Sequence, residues 1–236
     1  MKRFLLAGAT LLALTAAQPA VAQPMPVVNW TGYYVGGNIG AVTLNNQVDH
    51  YDAGFGCWWS CSLRFTDNAS GVIGGFQVGY NWQTGSIVYG IETDLSLASV
   101  RTSRFAFGTD YEQNVDISAI GTLRARVGVL VSPTLLAYLT GGLAYAKVRD
   151  HVHDNSDPSV QVWDNNGWLF GWTIGGGVEY AMNPRWTLKL EALYYALQTR
   201  TIVFNCPAGY CGSAQNYPVD FKHDGAIVRA GFNVKL

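Results

Sequence analysis

The sequence predicts an all-β fold: eight antiparallel strands closed in up-and-down order into a transmembrane β-barrel. Three observations carry this reading. Hydrophobic residues fill 49% of the chain, yet beyond the N-terminal segment no apolar run approaches the roughly 20 residues that a spanning helix needs. The apolar residues instead recur at every second position, the period of an extended strand. The connections between these stretches alternate long and short, as they do when a barrel carries loops at one end and tight turns at the other.

Residues 1–22 stand apart. A basic start (Lys2, Arg3), a short apolar core and the small-residue site Ala20-Val21-Ala22 describe a secretory signal peptide with cleavage after Ala22, leaving a barrel domain over 23–236. The apolar run is too short to cross a bilayer as a helix. Export makes the four cysteines, Cys57, Cys61, Cys206 and Cys211, disulfide candidates rather than zinc ligands, since their spacings fit finger patterns poorly. Local pairs are favoured over crossed ones, and connectivity stays open.

The first strand runs from Trp30 to Thr43, with Tyr33, Val35, Gly37, Ile39 and Ala41 on one face and Tyr34, Gly36, Asn38 and Gly40 on the other. A polar stretch, 44–70, reads as the first long loop. The second strand, 72–83, points Phe76, Val78, Tyr80 and Trp82 outward; after a Thr84-Gly85-Ser86 turn the third, 87–99, carries Glu92 and Asp94 inward. Another polar loop, 101–114, leads to the fourth strand, 115–130. There Ile117, Ala119, Leu123, Ala125, Val127 and Val129 share the outer face, opposite Asp116, Ser118, Thr122, Arg124 and Arg126. The fifth strand, 135–147, points Leu139, Leu143 and Tyr145 outward, and a third loop covers 148–166.

Strands six and seven form the clearest hairpin. Trp172, Ile174, Val178 and Tyr180 alternate with Thr173, Gly175, Gly177 and Glu179, then Trp186, Leu188, Leu190, Ala192 and Tyr194 with Thr187, Lys189, Glu191 and Leu193. A turn centred near Asn183 would set Gly177 against Lys189 and Gly175 against Glu191. A fourth loop spans 198–224, and the last strand ends the chain with Val228, Ala230, Phe232 and Val234 outward and Arg229 inward. Each strand is expected to have about ten residues, the length a tilted strand needs to cross a bilayer. Trp30, Tyr33, Tyr80, Trp82, Tyr89, Tyr180 and Trp186 lie beside the short turns or the N-terminus and are expected to form one aromatic girdle; Tyr145, Trp168 and Phe170 are expected to form the other.

The inner face carries Glu92, Asp94, Glu179 and Glu191 against Arg124, Arg126, Lys189 and Arg229, all at strand positions. Eight strands enclose a bore that side chains can fill, so these residues predict a salt-bridge network plugging the lumen. Paired carboxylates such as Glu92 and Asp94 could instead do acid–base work, but arginines lie beside them and no substrate path is evident. The chain therefore reads as no enzyme, with no catalytic residue, resident metal or cofactor. A net charge of −1 gives no basic footprint for nucleic acid. His50, His151, His153 and His223 all fall in predicted loops, and His151-Val-His153 offers a weak metal or haem motif against a solvated-loop reading.

Laid out this way, the chain resembles the alphaproteobacterial outer-membrane surface-antigen barrels, relatives of the OmpA membrane domain and opacity-type adhesins. The resemblance rests on Asn29–Asn38, Gly74–Trp82, Gly90–Asp94, Gly121–Gly128, Thr140–Tyr145, Gly171–Glu179 and Ile227–Gly231. It implies a Gram-negative outer-membrane location, a role in envelope integrity, and exposed antigenic loops. It also implies contact with outer-membrane lipid and lipopolysaccharide, and assembly through the C-terminal strand by the barrel-assembly machinery. Some members act as porins or bind haem, so a narrow channel and a haem-binding surface protein stand as alternatives, as does a homo-oligomer. Such chains usually end in Phe; this one ends Val-Lys-Leu236.

Overall fold

The computed structural model describes residues 28–51, 62–106, 111–154, 161–206 and 215–236. Nine segments in it form one antiparallel sheet: β1 (Gly32–Tyr51), β2 (Ser62–Thr84), β3 (Ile87–Ala106), β4 (Tyr111–Ser132), β5 (Leu135–Asp154), β6 (Gln161–Ala181), β7 (Trp186–Leu197), β8 (Arg200–Cys206) and β9 (Gln215–Lys235). β1 pairs with both β2 and β9, which closes the sheet into a barrel. β7 and β8 both pair with β9, at successive heights, and are two parts of one strand position interrupted at Gln198 and Thr199. The barrel thus has eight strand positions, all antiparallel. The predicted leader and Cys57, Cys61 and Cys211 lie outside the described residues, as does the side chain of Cys206 at the end of β8.

Two of the tight turns show why the chain reverses where it does. Thr84 pairs with Ile87, so Gly85 and Ser86 alone make that turn, and Gly85 sits at φ +61°, a region costly for residues with a Cβ. In the β6–β7 turn the Asn183 side-chain oxygen accepts from the backbone N–H of Arg185 and Trp186, both at 2.9 Å. The register here differs from the expected one. Glu179 faces Lys189, Gly177 faces Glu191 and Gly175 faces Leu193, so the turn centres on Pro184.

The strands are twice as long as the expected ten residues; β1 to β6 and β9 run to between 20 and 23. Much of each predicted long loop is strand that continues past the apolar belt, carrying polar side chains such as Asn45, Asn68, Lys147 and Arg149 outward. The phase of upper β4 is also corrected. Ser118 is an extra residue between the pairs Ile117–Val148 and Ala119–Lys147. A one-residue slip moves every later side chain to the other face, so Val115 and Ile117 turn inward and buried while Asp116 and Ser118 turn outward.

The interior is layered. Val28, Trp30, Val88, Leu136, Tyr138 and Ala181 form an apolar cap at the short-turn end. Above it lie the charged residues. Beyond them, toward the long-loop end, a larger apolar cluster includes Val42, Leu44, Ile117, Ile120, Val148, Leu193, Tyr195 and Ile227. Outer and inner faces exchange character along the barrel: the lower wall is apolar outside and charged inside, while the upper wall is polar outside and apolar inside.

Candidate functional site

The charged layer is the chemically densest part of the molecule. Residues of one strand parity on β3, β4, β6, β7 and β9 converge on the axis, because alternate side chains of a closed sheet must point inward. Glu92, Asp94, Arg124, Arg126, Glu179, Lys189, Glu191 and Arg229 are all buried there. Arg229 holds Asp94 through two parallel bonds of 2.9 Å and also donates to Glu191 at 2.8 Å. Arg124 bridges Glu191 at 2.9 Å and reaches Glu92 and, at 3.3 Å, Asp94. Lys189 sits 2.8 Å from Glu92, and Arg126 sits 2.6 Å from Glu179. Planar guanidinium forks suit such bidentate pairing.

Neutral groups complete the layer. Tyr34 donates to Glu92 at 2.8 Å and Tyr138 to Glu191 at 2.9 Å, while the Arg126 guanidinium lies 4.4 Å over the Tyr138 ring. Asn233 donates to Glu179 at 2.7 Å and accepts from Gln77 at 2.6 Å. These partners carry no charge, so charge alone does not mark them in the sequence. Their signal was parity, since Tyr34, Gln77, Tyr138 and Asn233 occupy the same inward positions as the charges. Close packing explains a glycine here: a Cβ on Gly79 would lie 2.4 Å from the Tyr34 ring. The recess at the short-turn mouth holds about 20 Å³, room for about one water.

Each carboxylate of the layer is held by a cation and a hydroxyl or amide: Glu92 by Lys189 and Tyr34, Asp94 by Arg229 and Thr122, Glu179 by Arg126 and Asn233, Glu191 by Arg124 and Tyr138. Among the described residues no group of three or more His, Cys, Asp or Glu side chains could hold a metal ion. His151 lies on β5, half-buried, and the side chains of His50 and His153 are outside the described residues.

A second polar cluster lies higher in the barrel. Arg200 holds Asp150 at 2.9 Å, and the fully buried His223 comes within 3.8 Å of the same carboxylate. Neither ring nitrogen of His223 has a hydrogen-bond partner among the described residues. Burial, aided by Arg200, keeps the imidazole below its ordinary range despite Asp150 and Asp224; burial pushes the Asp150 carboxyl up, against His223 and Arg200.

On the outside, Tyr33, Trp82, Tyr89, Tyr180 and Trp186 are exposed near the short turns. Tyr33 and Tyr80 meet edge to face at 4.5 Å, Trp82 stacks on Tyr89 at 5.6 Å, and Tyr145 and Trp168 meet at 5.8 Å on the opposite rim. Trp30 departs from the expectation. It is 4% exposed and folds under the barrel into the apolar cap, because its backbone N–H bonds the Gln83 side chain at 2.8 Å before β1 begins. The ring therefore enters the mouth and does not join the belt.

The family model described as outer membrane protein beta-barrel domain matches residues 7–222. The chain belongs to this family. It is 34% identical to the 31 kDa outer-membrane immunogenic protein of Brucella melitensis, covering 100% of both chains. It is 33% identical to the 22 kDa outer membrane protein of Rhizobium leguminosarum bv. viciae, over 74% of this chain and 68% of that one. Among solved structures, OprG from Pseudomonas aeruginosa superposes with a TM-score of 0.56 at 14% identity, covering 89% of this chain and 98% of that one, which shows a shared fold. The chain is accordingly an outer-membrane β-barrel, with its short turns on the periplasmic side and its long strands rising outward.

Proposed function

We propose that this barrel is a closed, non-enzymatic scaffold that stabilises the outer membrane and carries its upper strands and their connections to the cell surface. The observation that carries the reading is the double closure of the lumen. A charge-neutral network fills the membrane level, and the apolar cluster around Leu44, Ile117 and Ile120 fills the bore above it. An ion crossing would have to break the first and then shed its water within the second. The Brucella relative is named immunogenic, which suits a wall that projects outward; we extend surface display to this chain on that basis.

Reconstitution of the folded barrel in planar bilayers tests the proposal. The expected trace is flat, without steady unitary steps. Steady open-channel conductance that changes in Arg124→Ala would replace the scaffold with a narrow pore through the network.

A further inference from the structure

Residues 28–31, ahead of β1, pass beneath the short-turn mouth and are fastened there to both neighbours of β1. On the β2 side the Trp30 N–H donates to the Gln83 side chain at 2.8 Å, and the Gln83 N–H donates to the Thr31 hydroxyl at 3.0 Å. On the β9 side Lys235, next to last in the chain, donates from its ammonium to the Asn29 carbonyl at 2.6 Å. The Thr31 N–H bonds the Asn29 side-chain oxygen at 2.9 Å, which folds the segment into a turn. Between these anchors Val28 and Trp30 drop into the apolar cap, where Val88, Leu136, Tyr138 and Ala181 come from β3, β5 and β6. One short segment thus joins strands that are not neighbours in the sheet.

Gly32 makes the bend from this segment into the wall. Its φ is +137°, a region strained for any residue with a Cβ, and a Cβ there would lie 2.8 Å from Lys235 Cε. The missing side chain leaves the path along which the lysine reaches Asn29. The joint above is the one that closes the barrel, between strands from opposite ends of the chain. Its register starts at Tyr34 and Lys235, and below that pair the Leu236 N–H donates to the Tyr33 carbonyl at 3.0 Å. Local opening of a sheet starts from such ends.

We propose that residues 28–31 are a periplasmic clasp, which holds β9 through Lys235 and the capped mouth through Trp30 and so keeps the seam between the first and last strands shut. The socket for Trp30 has walls from several strands and is complete only after the sheet has closed. The segment therefore docks after closure and opposes the reverse step, as contacts formed late in folding do. The clasp acts on the joint and not on the bore, so it is independent of whether the lumen conducts.

Hydrogen exchange of the folded full chain in liposomes, read segment by segment, tests the clasp. In Trp30→Ala the protection of seam amides in 34–39 and 230–235 should fall about 100-fold, while 121–125 and 141–145 on β4 and β5 keep the protection of the parent. Lys235→Met keeps the stem of the side chain and removes the ammonium, and should lower protection of the same seam amides about tenfold. The double variant should match Trp30→Ala, because a clasp released at one end no longer holds at the other. Heat-modified gel mobility reports that each variant is folded, and Lys235→Met alone decides if Trp30→Ala does not insert. Protection lost equally in the seam and in the β4–β5 segments overturns the clasp and makes Trp30 a filler of the cap. Unchanged seam protection in Lys235→Met, or losses that add in the double variant, also overturns it.

Discussion

Glu92 shows what a buried charge in this lumen depends on. It accepts from Tyr34 and sits against Lys189, Arg124 and Arg126, so its side chain balances part of three cations. Replacing it with alanine removes the carboxylate that Lys189 contacts directly, and breaking a buried ion pair on one side costs about 3–5 kcal/mol. Urea unfolding of Glu92→Ala in liposomes should show a loss of that size, and Lys189→Met added to it should recover part of the stability. A double variant no more stable than the single would mean the pair is not coupled. The outer face follows different rules. Leu190 is exposed toward lipid, and arginine there should cost about 2–4 kcal/mol at the bilayer midplane. Equal unfolding midpoints for Leu190→Arg and the parent would place the membrane elsewhere on the wall.

At the scale of strands, alternation made most of the barrel legible, and two features escaped it. Tyr33, Val35 and Ile39, or Leu188, Leu190 and Tyr194, announce their face because apolar and polar residues exchange at every step. The upper strands do not announce themselves, since Asn45, Asn68, Arg149 and Asn166 are polar for the same reason that loop residues are: water. Polarity there marks the exit from the membrane and not the end of the strand. The bulge at Ser118 also leaves no sequence mark, because both faces of 115–120 hold apolar residues and either phase reads well. Deleting Ser118 should restore a regular ladder between β4 and β5 and turn Ile117 outward and Asp116 inward. Labelling of Ile117→Cys by a membrane-impermeant maleimide, slow in the parent background, should become fast in the deletion. The inward charges could be read from parity alone; which acid meets which base could not, since it depends on shear between strands far apart in sequence.

At the upper rim, where β8 pairs with β9, the buried His223 predicts a response to acid. His223 is buried, and burial holds its imidazole below the ordinary range, while in an opened rim it would take a proton near pH 6.5. An opened state that binds a proton the closed state does not is favoured as pH falls below that value. Asp150 has the opposite sign, because burial raises its carboxyl and the closed rim holds that proton more firmly. Comparing the parent with His223→Gln isolates the imidazole. Hydrogen exchange of upper β9 amides, corrected for intrinsic rates, should lose more protection between pH 7.5 and pH 5.5 in the parent than in His223→Gln. The same loss in both would remove His223 from the rim's acid response.

For the whole molecule, two plugs of unlike chemistry sit in series in one bore, and each should close it alone. The ionic plug resists water by holding charges in a fixed, nearly saturated network; its weakness is removal of one member, which admits water to hydrate what remains. In the apolar plug above it the Tyr195 hydroxyl donates to the Thr43 carbonyl at 2.8 Å, and the layer resists ions through their desolvation cost. Series closure predicts non-additive behaviour. Arg124→Ala should stay silent in planar bilayers because the apolar layer still seals. Ile117→Ser/Ile120→Ser should stay silent because the network below still seals. The triple variant should show steady steps that neither parent variant shows, with cation preference, since Glu92, Asp94, Glu179 and Glu191 would then outnumber Arg126, Lys189 and Arg229. Conductance in either partial variant at the level of the triple would mean that a single layer closes the barrel and that the other only packs against it.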